Sequence, residues 1–154
     1  MLSNKEILSQ FFEAIRNDIL REHVAQGQVA SGKTIESFEY TVDNFKGVLV
    51  ANSYVGVLEY GRKPGKVPEN FRGVILEWMQ AKGIFQDKDN KAQGRIAYFI
   101  SRKIAKEGTQ LYKKGGNSGV LSKAINEKRI NSLIESLASK YQSEVMSDVL
   151  AEFK

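Results

Sequence analysis

Eight residues carry the strongest chemical suggestion in this chain. Gly27-Gln28-Val29-Ala30-Ser31-Gly32-Lys33-Thr34 satisfies G-x-x-x-x-G-K-[ST], the pattern whose backbone cradles phosphates while its lysine reaches them. That chemistry needs a buried strand before the motif and a helix after it, so that N–H groups converge on the anion. The sequence reads in the opposite order, with helical spacing before the motif and strand spacing after it. Gly27, Gly32, Lys33 and Thr34 are therefore expected to form a turn-containing loop, not a nucleotide site.

Other chemistry-bearing residues are sparse. Asp87-Lys88-Asp89-Asn90 begins like a calcium loop, but Lys91, Ala92 and Tyr98 stand where an oxygen ligand, a glycine and a glutamate are needed. His23 is the single histidine, and cysteine is absent. That leaves few choices for a general base, a nucleophile or a metal ligand, and His23 reads as a structural residue at or partly below a helix surface. Glu36 and Glu39 are an odd number apart on a presumed strand, so they should face opposite sides. No catalytic residue, metal or cofactor is expected, and the chain does not read as an enzyme.

The charge balance is mildly basic: 23 Lys plus Arg against 18 Asp plus Glu, a formal net charge of +5. Such a balance suits a solvated surface, and it permits contact with nucleic acid or an acidic partner. Arg95, Arg102, Lys103 and Lys106 form a basic ridge on one helix, with no aromatic expected among them to make a stacking platform. A basic nucleic-acid-binding module is the alternative functional reading.

The elements that position these residues follow from spacing. Ser3 and Glu6 form an S-x-x-E box. Leu8, Phe11, Phe12, Ile15, Ile19 and Leu20 then fall at helical intervals, predicting a helix to about Ala25 that stops near Gly27. Phe38, Tyr40 and Val42 alternate with polar residues, and residues 47–51 form a second apolar run, predicting two strands around a turn at 43–47. Residues 54–60 fit a strand by their β-branched content and a helix by Tyr54 and Leu58. Residues 61–68, GRKPGKVP, are an exposed basic loop. Helices are expected from about Phe71 to Gly83, with Asn70 as cap, and around Ile96, Ile100 and Ile104, ending at Gly108. Residues 109–119 read as a mobile arm or loop. The apolar spacing from Leu121 to Phe153 predicts a long final helix, kinked or restarted near Asn126.

With 154 residues, 42% hydrophobic and 27% charged, the chain can bury one core. The expected class is α+β: an N-terminal helix, a small antiparallel sheet of three or more strands, then helices including a long C-terminal one. Residues 1–118 are expected to form one domain. Residues 119–154 should form a helical extension that packs on this domain or on a neighbouring subunit. No apolar run is long enough for a membrane span, and residues 1–19 carry charge throughout, unlike a signal peptide.

Two stretches add a resemblance. Ser31-Gly32-Lys33-Thr34-Ile35-Glu36-Ser37 looks like a small-Gly-x-x-x-x-Ser entry into a strand. Tyr54-Val55-Gly56-Val57-Leu58-Glu59-Tyr60-Gly61-Arg62-Lys63-Pro64 looks like a Tyr-x-x-x-Leu-Glu-(aromatic)-Gly signature followed by a basic, proline-containing loop. Together with residues 75–84 and 97–109, these resemble the minor tail, tail-completion and head–tail joining proteins of tailed bacteriophages over roughly residues 30–112. One departure is Gln110-Leu111-Tyr112-Lys113-Lys114, which lacks the family's proline. The resemblance implies a virion structural protein of the neck or tail, assembled in the host cytoplasm as a ring of six or twelve copies. It implies portal, adaptor or tail proteins as partners, and genomic DNA passing through the ring. Tyr54, Leu58, Glu59, Tyr60, Leu111, Tyr112, Tyr141 and Phe153 are then the expected subunit or partner contacts. Arg62, Lys63 and Lys66 are the residues expected to face a DNA channel.

Overall fold

Ser3 pins the first helix. Its Oγ accepts from the Glu6 amide at 3.2 Å, and the Glu6 carboxylate accepts from the Ser3 N–H at 2.7 Å, a reciprocal capping box. In this computed structural model, which describes residues 2–152, the helix that follows is α1, Asn4–Ala25. Gly27 ends it at φ 64°. The Gly27 amide donates to the Val24 carbonyl and the Gln28 amide to the His23 carbonyl, which closes the last turn in the Schellman manner. Only a residue at ease with positive φ fits there.

A single helical turn, α2 (Lys33–Glu36), precedes the sheet. It stands where the spacing predicted direct entry into a strand, and it takes Glu36 off any strand. Strands β1 (Glu39–Val42) and β2 (Gly47–Val50) pair antiparallel, with Glu39 opposite Val50 and Val42 opposite Gly47. The Asp43 carboxylate accepts from the amides of Phe45 and Lys46, both at 2.7 Å, and so fixes the connecting turn.

Among the described residues the sheet has two strands, so the expected third strand is a correction. Residues 54–60 form helix α3, Val55–Tyr60. Asn52 starts it: its side chain accepts from the Tyr54 amide at 3.0 Å and its carbonyl from the Val55 amide at 3.2 Å. Val55, Leu58 and Glu59 then share one buried face, as residues three and four apart do on a helix. This local turn and buried face override the β-branched content of the segment.

Helices α4 (Phe71–Ala81) and α5 (Asn90–Glu107) form an antiparallel hairpin. Asn70 stands at the start of α4 without a side-chain cap bond. Asp89 caps α5 by accepting from the Ala92 amide at 2.7 Å, so the calcium-like run is a polar turn feeding a helix. Phe71, Ile75 and Met79 pack on Ala97, with Ile100 and Ile104 at the edge. The other core joins Ile15 and Ile19 of α1 to Phe38, Val55, Val120 and Ala124. Residues from 119 onward therefore do not begin as an appendage. Val120 and Ala124 are as deeply buried as Ile19.

The last two helices among the described residues are α6 (Gln110–Lys113) and α7 (Glu127–Glu152). Asn126 restarts the helix, its side chain accepting from the Arg129 amide at 3.0 Å. At 26 residues, α7 is about 39 Å long at 1.5 Å per residue. It lies antiparallel to α1. Arg129 pairs with Asp18 near its start. Further along, Tyr141 accepts from the Asn4 side chain at 2.6 Å, beside the first residue of α1. Residues 145–152 run on past that point.

Candidate functional surfaces

The signature-like segment is built around Glu59. Its side chain is 1% exposed, yet it carries a carboxylate. Oε2 accepts from the Leu121 amide at 2.8 Å and the Ser118 hydroxyl at 3.2 Å, and Oε1 accepts from the Ser122 hydroxyl at 2.8 Å. The Ser118 amide donates to the Glu59 carbonyl at 2.9 Å. Burial works against the charge, but the donors from Leu121, Ser122 and Ser118 outweigh it and hold the carboxyl below its ordinary value. Glu59 thus clamps the turn at 118–122 onto α3. Leu58 is buried beside it. The expectation that Leu58 and Glu59 touch a partner is corrected: both are spent inside the subunit, because the helical turn points them inward.

The neighbouring arm is also folded. Thr109 caps α6 through the Tyr112 amide. Its Oγ1 accepts from the Arg62 amide at 2.9 Å, and its own amide donates to the Arg62 carbonyl at 2.9 Å. Residues 109–119, expected as a mobile arm, form a strap across the 61–65 loop, tied down by backbone groups that no composition signal reveals. Gly61 has φ 75°, and a Cβ there would fall 2.6 Å from the Thr109 hydroxyl.

The structure brings several predicted residues together. Tyr60, Tyr112, Arg62, Lys63 and Lys66 line one open groove of about 590 Å³. Arg62 is partly withdrawn: its guanidinium lies 5.1 Å from the centre of the Phe71 ring and donates to the Lys66 carbonyl at 3.0 Å. It organises the loop, while Lys63 and Lys66 remain exposed. Tyr54, at the start of α3, is half-exposed; protein around its ring raises its hydroxyl pKa, with Arg62 opposing. Leu111, within α6, is half-buried. Tyr141 lies far off on α7, and Phe153 falls outside the described residues.

The phosphate-loop pattern has no strand before it. Gly27 terminates α1, Gly32 opens a single turn at φ 81°, and exposed Lys33 sits 3.7 Å from the Glu77 carboxylate. His23 is buried, with Nδ1 3.1 Å from Gln28 Oε1, and Gln28 in turn donates to the Leu58 carbonyl at 3.2 Å. Among the described residues no group of three or more acidic or histidine side chains is placed to share a metal, and no helix is long and apolar enough to cross a membrane.

Two surfaces emerge that spacing alone left unassembled. One runs along α7, where no residue is buried. Ile130, Ile134, Tyr141, Val145 and Val149 form an exposed apolar row, widened near the end by Met146 and Leu150. A contiguous exposed apolar row is the kind of surface that partner-binding faces present. The other is the outward face of α5. Ala97 and Ser101 turn inward, so Lys91, Arg95, Arg102, Lys103 and Lys106 turn out. Tyr98 and Phe99 lie on that same face, rings 5.7 Å apart and edge to face, with Phe99 68% exposed. The expectation that no aromatic interleaves with this basic ridge is therefore corrected. At 100° per residue, Tyr98 and Phe99 straddle Arg95 and Arg102 on the wheel, the two arginines lying only about 20° apart between them.

No protein-family model matches the chain, and no curated protein or solved structure matches it.

Proposed function

We propose that this chain is a structural virion subunit of a tailed bacteriophage, forming or completing the ring at the head–tail connection, with no catalytic role. The exposed apolar row of α7 carries the reading. The chain closes its two cores without that row, and a 26-residue helix with no buried residue has its face free for another subunit. The resemblance of residues 54–64 to the head–tail joining signature supplies the phage context. In this reading the groove of Tyr60, Tyr112, Lys63 and Lys66 meets a portal, adaptor or tail neighbour, or the passing DNA.

Imaging of purified virions with the chain labelled tests the proposal directly. Density at the neck or tail top is the expected result. A chain that is absent from particles and sediments as a strict monomer at high concentration ends the proposal.

A further inference from the structure

The two unclaimed surfaces complement one another. Past Tyr141, the end of α7 presents Val145, Met146, Val149 and Leu150, edged by Glu144, Asp148 and Glu152 at intervals of four. Residues four apart stack along one side of a helix, so these acids form a row beside the apolar arc. Glu144 is engaged with Lys140 at 2.5 Å, whereas Asp148 and Glu152 have no ion pair among the described residues. The α5 face is the counterpart: exposed Tyr98 and Phe99 flanked by Lys91, Arg95, Arg102, Lys103 and Lys106, none of them ion-paired among the described residues.

The two surfaces cannot meet within one subunit. The end of α7 leaves the molecule at the N-terminal end of α1, where Asn4 holds Tyr141. The α4–α5 hairpin sits at the other end of α1, where Lys82, just past α4, donates to the Gly27 carbonyl. The 22 residues of α1 put about 33 Å between them. We propose that the end of α7 in one copy lies along the outward face of α5 in the next copy, acidic row against basic, apolar arc against Tyr98 and Phe99. Because the two patches differ, the contact is head-to-tail, and repetition closes a ring or extends a filament. This inference rests on the connector reading and names the junction that reading leaves open.

Charge reversal in two halves tests it, with sedimentation or mass photometry in low salt as the readout. One variant carries Arg95→Glu and Arg102→Glu; the other carries Asp148→Lys and Glu152→Lys. All four side chains are exposed, and circular dichroism checks that both variants keep the fold. Each variant alone should need about a hundredfold higher concentration to assemble, since like charges across an interface cost heavily. Mixing the two restores assembly, because each acid-faced α5 then meets a lysine-bearing α7 and each basic α5 meets an acidic one. Salt should weaken the wild-type assembly. Three results overturn the proposal. In the first, the wild type assembles and either variant assembles equally well alone; the junction is then elsewhere, and the connector reading survives. In the second, the wild type stays monomeric at high concentration and low salt; virion imaging then decides the connector reading separately. In the third, the α5 variant assembles normally but loses retention of a single-stranded oligonucleotide, and the face belongs to nucleic acid.

Discussion

Replacing Glu59 tests the internal architecture most sharply. Glu59→Ala removes a carboxylate that accepts from one amide and two hydroxyls. Hydrogen bonds to a charged group contribute about 1.5–3 kcal/mol each, but the effects do not simply add. Ser122 is exposed and can turn its hydroxyl to water. The part-buried Leu121 amide is left without its partner, at about 1–3 kcal/mol, and the side chain leaves a void. The expected total is about 3–5 kcal/mol, a fall in Tm on the order of 10 °C for a chain of this size. Glu59→Gln should cost less, about 1–2 kcal/mol, because the amide oxygen can still take the Leu121 N–H while the charge is lost. The pH dependence adds an independent check. The folded carboxyl lies below its ordinary value of 4.5, so its contribution is complete above that value and is lost as pH falls through the folded pKa. Urea unfolding followed by circular dichroism from pH 7 to pH 3.5 should show wild type and Glu59→Gln converging as the solution becomes acid. An alanine variant within 1 kcal/mol of wild type would refute the clamp, and so would a gap to glutamine that stays constant with pH.

Other variants separate surface from scaffold. Gly61→Ala should destabilise by about 2 kcal/mol or more, since φ is positive and the new Cβ meets the Thr109 hydroxyl; thermal melting reads it. Val145→Asp with Val149→Asp should leave the subunit's melting unchanged within about 0.5 kcal/mol yet abolish self-association in sedimentation, because both residues face outward. Lys33→Ala should leave stability unaltered, as its pairing with Glu77 is exposed, and equilibrium dialysis should detect no nucleotide retained by wild type or variant.

Much of the fold is readable from local order. The Ser3–Glu6 box, the stop at Gly27, the two strands around Asp43, the close of α5 at Gly108 and the restart at Asn126 all appear where the spacing puts them. Each is set by a short-range rule: a cap, a positive-φ glycine, an alternation. Residues 54–60 escape such rules, because a seven-residue run this short and rich in apolar residues fits either period. Likewise, Leu58 and Glu59 look like surface contacts until the helix of α3 turns them inward.

What the sequence determines by itself is the inventory: no thiol, one histidine, a phosphate-loop pattern following a helix, a basic helix and a final helix rich in unspent apolar residues. Tertiary structure decides what those residues are for. It buries Glu59 by bringing the turn at 118–122 to α3 from some sixty residues away, and a charged residue is retained in a core only where distant donors reach it. It straps residues 109–119 over the 61–65 loop through the Thr109 amide and hydroxyl on the Arg62 backbone and the Ser118 amide on the Glu59 carbonyl, pairings that no local spacing marks. It also sets Tyr98 and Phe99 outward among the lysines and arginines of α5, because Ala97 and Ser101 claim the inward side. Helix period tells which residues share a face; only packing tells which face is left for a partner.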